Sequence, residues 1–119
     1  MPTMSPSRKL RQGRHALLRM LHPRRDLVVI RLRGNLDAER VKETTRVLRR
    51  VLRNGPRALE VDLSGVTHLS PEGALPLFLA ARGARGQGVR FTITHADPQA
   101  QAMMHRLGLE RYLSNGASS

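Results

Sequence analysis

The sequence predicts an α/β fold, a single domain with a mixed, mostly parallel sheet of four to five strands and three to four helices. Three observations carry that expectation. Short Val/Ile/Leu-rich runs alternate with longer stretches whose apolar residues recur at helical spacing, the order expected of helices crossing over a largely parallel sheet. The chain has 119 residues, room for one small domain and its tails. Apolar residues make up 39% of it and Cys is absent, so the core must close by burial alone, without disulfides or thiolate-bound zinc.

The elements follow in order. Residues 1–12 are rich in Pro, Ser, Arg and Lys without periodicity, and 114–119 are small and polar; both read as flexible tails around a domain spanning 13–113. Residues 16–21 and 27–32 flank the turn-like Pro23-Arg24-Arg25-Asp26 and suggest a β-hairpin. Leu17, Leu18 and Leu21 also fit a helical period, but strand is the preferred reading. Asp37 stands where an N-cap belongs, with Glu39 in the first turn. Val41, Thr44, Thr45, Leu48, Val51 and Leu52 then recur at helical spacing until Asn54-Gly55-Pro56 ends the helix. Arg49, Arg50 and Arg53 near its end complement the negative pole of the helix dipole. Leu59, Val61 and Leu63 alternate with Glu60 and Asp62, and Val89, Phe91 and Ile93 alternate with polar neighbours, so each run reads as a strand. The Ala/Leu-rich span 72–85 reads as a helix ended by the glycines of 83–88. Pro76 conflicts with a start at Pro71 and favours a later or irregular start near Gly73. A last helix, about 99–107, follows Asp97-Pro98 and stops at Gly108. The order is β-β-α-β-α-β-α, and the loops at the C-terminal ends of the parallel strands, where ligands collect in such sheets, are 34–37, 64–73 and 95–97.

Charge points to partners before it points to chemistry. Twenty-one Lys and Arg against nine Asp and Glu give +12. Residues 1–25 carry Arg8, Lys9, Arg11, Arg14, Arg19, Arg24 and Arg25 without an acid, leaving +5 for the rest. A solvated basic tail is the simplest reading; phosphate or acidic-lipid contact through this arm is the alternative. Nucleic acid is not the expected partner, because Phe78, Phe91 and Tyr112 are too few aromatics for a stacking platform. The longest apolar run, 74–81, is far short of the ~20 residues that span a bilayer, and no export signal is recognisable, so the cytoplasm is the expected location. His68 and His95 lack metal-ligand spacing. Ser64, Ser70 and His68 lack a nucleophile elbow or an oriented carboxylate, and no phosphate-binding Gly-rich loop follows a strand. The expectation is a protein that is not an enzyme and carries no cofactor or metal.

Two segments sharpen this. Gly34-Asn35-Leu36-Asp37 and Val61-Asp62-Leu63-Ser64-Gly65-Val66-Thr67-His68-Leu69-Ser70-Pro71-Glu72-Gly73 resemble the turn and the strand-loop of the STAS family, the anti-sigma factor antagonists and their relatives, over about residues 16–113. The resemblance implies a single STAS-like domain that acts by partner switching, binding an anti-sigma factor kinase or another kinase-like regulatory protein. The partner-binding residues would be Gly34, Asn35, Asp37, Asp62, Ser64, Thr67, His68, Ser70, Pro71, Glu72 and Gly73. Family members carry Asp-Ser-Ser-Gly or Asp-Ser-Ala-Gly where this chain has Ser70-Pro71-Glu72-Gly73, so the usual phosphoacceptor serine falls at Pro71, which has no hydroxyl. Ser70, one residue earlier, is the remaining possible phosphosite, although Ser70 as N-cap with Pro71 at the first helical position is also a good plain helix start. Glu72 would supply a fixed negative charge beside the lost acceptor, or simply complement the helix dipole. A constitutive scaffold role, in a stressosome or a lipid-transport ABC assembly, is the alternative that Pro71 favours. Sequence leaves oligomeric state open.

Overall fold

Alternation of apolar and polar residues produces two long strands at the middle of the sheet, β2 (Leu27–Leu36) and β3 (Ala58–Leu69). The structure, a computed structural model, describes residues 16–19 and 27–114; the predicted tails apart from Ser114, the 23–26 turn and nearly all of the basic arm lie outside them. β1 (Ala16–Arg19) pairs antiparallel with β2, Ala16 opposite Leu32 and Arg19 opposite Val29, as the hairpin reading requires. β3 pairs parallel with β2, and β4 (Arg90–Thr94) parallel with β3, giving one mixed sheet in the order β1-β2-β3-β4.

Helices α1 (Val41–Arg53), α2 (Pro71–Gln87) and α3 (Pro98–Arg106) follow strands β2, β3 and β4. Ile30, Leu32, Leu59, Val61, Leu63, Phe91 and Ile93 of the sheet are buried with Leu48, Leu52, Leu77, Ala81 and Met104 of the helices in one core. The alternate positions Arg31, Glu60, Asp62 and Thr92 are exposed or half-buried, so the helices cover one face of the sheet and polar residues occupy the other. Ala74, Ala80, Ala81 and Ala84 are the buried small residues of α2, and their size lets the helix lie close to the strands.

Two expectations need correction. Residues 64–69 are not loop but the second half of β3, and Gly34–Leu36 belong to β2 rather than to a turn. Pairing continues through two register shifts, between Arg31 and Arg33 and between Gly34 and Asn35, at each of which β3 contributes one extra residue. Such bulges break the period of two that marks a strand in sequence. The second correction concerns α2, which starts at Pro71 rather than near Gly73. Ser70 is extended at φ −94° and ψ 168° and caps the helix. Pro76 therefore stands inside the helix, where its missing N–H leaves the Glu72 carbonyl without its usual donor; the ring is buried in the core layer, which offsets part of that loss. The helix also runs past 85 to Gln87, closed by Gly88 at φ 75°. Leu113 bridges Ile93, and the Ser114 amide donates to the Ile93 carbonyl at 2.8 Å, so Ser114, expected to open the tail, is still held to the sheet edge.

Candidate functional site

Three side-chain caps stand at the C-terminal edge of the sheet. Asp37 accepts from the Glu39 amide at 3.1 Å and opens the short 3-10 turn Ala38–Arg40 ahead of α1. Ser70 Oγ accepts from the Gly73 amide at 2.9 Å, and Asp97 accepts from the Ala100 amide at 2.8 Å. These caps satisfy amides that a helix cannot pair internally.

Ser70 also fastens the start of α2 to the end of β2. Its amide and its hydroxyl both donate to the Leu36 carbonyl, at 3.0 and 3.3 Å. Gly73 completes the contact, because a Cβ there would lie 1.9 Å from the Leu36 oxygen and 2.8 Å from the Asp37 nitrogen. Only glycine permits so close an approach of two backbones. On the other flank, Gln99 at the start of α3 brackets the peptide groups of Leu69: its Oε1 accepts from the Leu69 amide at 3.0 Å and its Nε2 donates to the Leu69 carbonyl at 2.8 Å. The ends of β2 and β3 and the starts of α2 and α3 thus form one hydrogen-bonded block.

The predicted site residues divide between two places. Gly34, Asn35, Asp37, Thr67, His68, Ser70, Pro71, Glu72 and Gly73 gather at this block. Gly34 has φ +76° beside the Arg40 guanidinium, His68 pairs in register with Asn35, and Thr67 Oγ1 donates to Asn35 Oδ1 at 3.3 Å. Asn35, Thr67, His68, Pro71 and Glu72 are exposed and present the surface. Asp62 and Ser64 stand earlier in β3, on the polar face of the sheet. There the Asp62 carboxylate accepts from the Ser64 amide at 2.8 Å, faces His95 Nδ1 at 3.3 Å and lies 3.9 Å from Arg31 Nε, which donates to Ser64 Oγ at 3.2 Å. His95 adopts φ 56° at the end of β4, a left-handed conformation that histidine takes more readily than most residues. Sequence reading did not single out Gln99, Arg31 or the apolar residues on the outer face of α2. The last did carry a signal, since 74–81 is apolar all round where a surface helix normally is not.

The hydroxyls at the block are engaged in caps and strand ties, and among the described residues no group of three or more His, Cys, Asp or Glu could hold a metal ion. Among the same residues no helix is long and apolar enough to cross a membrane. Around these hydrogen bonds the block turns Asn35, Thr67, His68, Pro71 and Glu72 to solvent.

Fold and site together define a small α/β domain whose C-terminal sheet edge is built from capped helix starts. Its sequence matches the family described as "Mlab, STAS domain" over residues 14–114, and the chain belongs to the STAS family. Comparison with curated proteins finds no match. Among solved structures it is similar to the anti-sigma factor antagonist SpoIIAA in its unphosphorylated form, with 18% identity, TM-score 0.73, and coverage of 84% of this chain and 86% of that one. An anti-sigma factor antagonist from Mycobacterium paratuberculosis gives 19% identity, TM-score 0.70 and 84% coverage of both chains. A variant of RsbS from Moorella thermoacetica gives 18% identity, TM-score 0.65 and 82% coverage of both. At these identities the likeness is one of fold.

Proposed function

We propose that this chain is a non-catalytic regulatory domain of the antagonist type, which binds an anti-sigma factor or a related kinase-like protein at the edge formed by Asn35, Thr67, His68, Pro71 and Glu72. Binding is constitutive rather than switched by phosphorylation. The observation that carries this reading is the state of Ser70: its hydroxyl, half-buried, accepts from the Gly73 amide and donates to the Leu36 carbonyl, while the usual acceptor position is Pro71. Asp62 and Ser64 support the sheet and stand apart from the docking edge.

The test is affinity purification of the tagged full chain from its native cell, in parallel with Glu72→Lys. The reading expects an anti-sigma factor or histidine-kinase-type ATPase with the wild type, its loss with Glu72→Lys, and an intact mass without phosphate. Recovery of no such protein, or a phosphate on Ser70, overturns it. A second reading, a scaffold subunit of a larger assembly such as a stressosome or a lipid-transport ABC complex, is favoured by Pro71 as well. An ABC ATPase, or a high-order assembly of STAS domains, in the same purification would select it.

A further inference from the structure

The charge left on the domain has an address. Helices α1 and α2 carry seven bases against two acids, Glu43 and Glu72, whereas the remainder of residues 26–119 carries seven of each. The whole excess of residues 26–119 therefore lies on these two helices. Arg50, Arg53 and Arg85 stand in last turns, where the helix dipole favours them. That reason does not extend to Arg46, Arg49 and Arg82, none of which forms an ion pair among the described residues.

Between these cations α2 exposes an apolar ridge. Leu75, Phe78 and Leu79 follow helical spacing and are 47%, 38% and 47% exposed. On the α1 side the ridge borders a groove of about 600 Å³ with Leu48, Leu52, Pro76 and Ala80 on its floor and Arg49 and Arg53 on its rim. On the other side Arg82, Arg85 and Arg111 edge a second concavity that Phe78 also lines. An apolar ridge with cations on both flanks is complemented by an apolar stripe with carboxylates on both flanks, which is one face of an acidic amphipathic helix. Nucleic acid would pair with the arginines and leave the leucines against water. A membrane surface would meet the ridge but, being flat, would leave the groove floor unfilled. Side chains of a docked helix fill it, and the small Ala80 and Gly83 leave room for them.

We propose that the outer face of α2, together with the α1–α2 groove, receives an acidic amphipathic helix of the partner protein. This rests on the docking reading above and extends that surface from Pro71 and Glu72 along the length of α2.

The experiment places the photo-crosslinking residue p-benzoylphenylalanine at Leu79 of the full chain in its native cell and sequences the crosslinked peptide by mass spectrometry. The expected product is a peptide with apolar residues every three or four positions and Asp or Glu on both sides. Its yield should fall at least tenfold in a chain also carrying Arg49→Glu and Arg53→Glu, both at exposed positions, with folding confirmed by circular dichroism. No adduct, a phospholipid or nucleotide adduct, a peptide without acidic flanks, or a yield indifferent to the charge reversal overturns the proposal. The affinity purification of the wild-type chain described above keeps the two readings apart. Recovery of the anti-sigma factor or ATPase without a crosslink at Leu79 overturns the helix-docking inference alone, and recovery of neither overturns the docking edge as well.

Discussion

Replacing Gly73 by Ala adds a single methyl group, and the structure gives that methyl no room. Its carbon would lie 1.9 Å from the Leu36 carbonyl oxygen and 2.3 Å from the carbonyl carbon, where ordinary contact begins near 3.4 Å. The first turn of α2 must therefore withdraw by about 1.5 Å from the end of β2. Both colliding groups are backbone, so no rotamer change relieves the clash. Withdrawal also breaks the two Ser70 donations to Leu36, each worth about 0.5–1.5 kcal/mol. The overpacking adds about 1–3 kcal/mol, while the better helix propensity of Ala returns at most about 1 kcal/mol. The net expectation is a loss of roughly 3 kcal/mol, which in a domain of this size lowers Tm by at least about 12 °C. Gly86→Ala is the control: it lies in the same helix with no atom within 4 Å of the added carbon, and should gain about 0.4–1 kcal/mol. Thermal and urea unfolding of the three proteins measure both effects. A Gly73→Ala protein melting within about 2 °C of wild type, or falling no further than Gly86→Ala, refutes the claim that this backbone contact requires glycine.

Three further outcomes follow from the same block. Ser70→Ala removes the α2 cap and should cost about 0.5–2 kcal/mol in urea unfolding; no change in the midpoint would mean that the cap contributes nothing. Gln99→Ala strips both partners from the Leu69 peptide groups and should cost about 2 kcal/mol. Gln99→Glu, which keeps the size but replaces the donor with an oxygen facing the Leu69 carbonyl, should cost at least as much, and a smaller effect would show that bulk rather than hydrogen bonding matters. Pro76→Ala should restore the N–H to Glu72 carbonyl bond, a propensity gain of up to about 3 kcal/mol. It also loses roughly two buried methylenes at about 0.8 kcal/mol each. The expected balance is about 1 kcal/mol in favour of Ala, and a destabilised variant in thermal melts would show that packing of the ring outweighs the helix break.

What the sequence revealed was mostly local. Asp37, Ser70-Pro71 and Asp97-Pro98 announce helix starts because a cap is read within three residues of itself; each caps a helical turn, although α2 starts earlier than Pro76 suggested and Asp37 opens the 3-10 turn ahead of α1. The second half of β3 escaped because Ser64, Gly65, Thr67 and His68 have no strand-like alternation. They are held extended by β2, thirty residues away in the chain, through bulged pairing. Pro76 misled for the opposite reason: a true local cost was outweighed by the Ser70 cap, the Gly73 contact and burial of the ring. Gln99 is likewise visible only once α3 lies against β3. The basic excess looked like a property of the arm and of helix ends. Folding gathers the part outside the arm onto one layer and lays an apolar ridge along it.

The loss at Pro71 goes deeper than one hydroxyl. A phosphate at a helix start is held by the amides of the first turn, aided by the positive end of the dipole. Here Pro71 has no amide hydrogen, the Gly73 amide is bound by Ser70 Oγ and the Ala74 amide by the Ser70 carbonyl at 3.0 Å. Of the first four helical positions only Glu72 keeps an amide for an anion, and its own carboxylate in the same turn opposes one. A phosphate on Ser70 would also set its oxygens against the Leu36 carbonyl, which now accepts from that hydroxyl at 3.3 Å. The site therefore lacks both the family's usual acceptor and most of the receptor that would stabilise a transferred phosphate, while the Gly73 contact still holds the start of α2 against the end of β2. That combination is what the proposed constitutive binding requires.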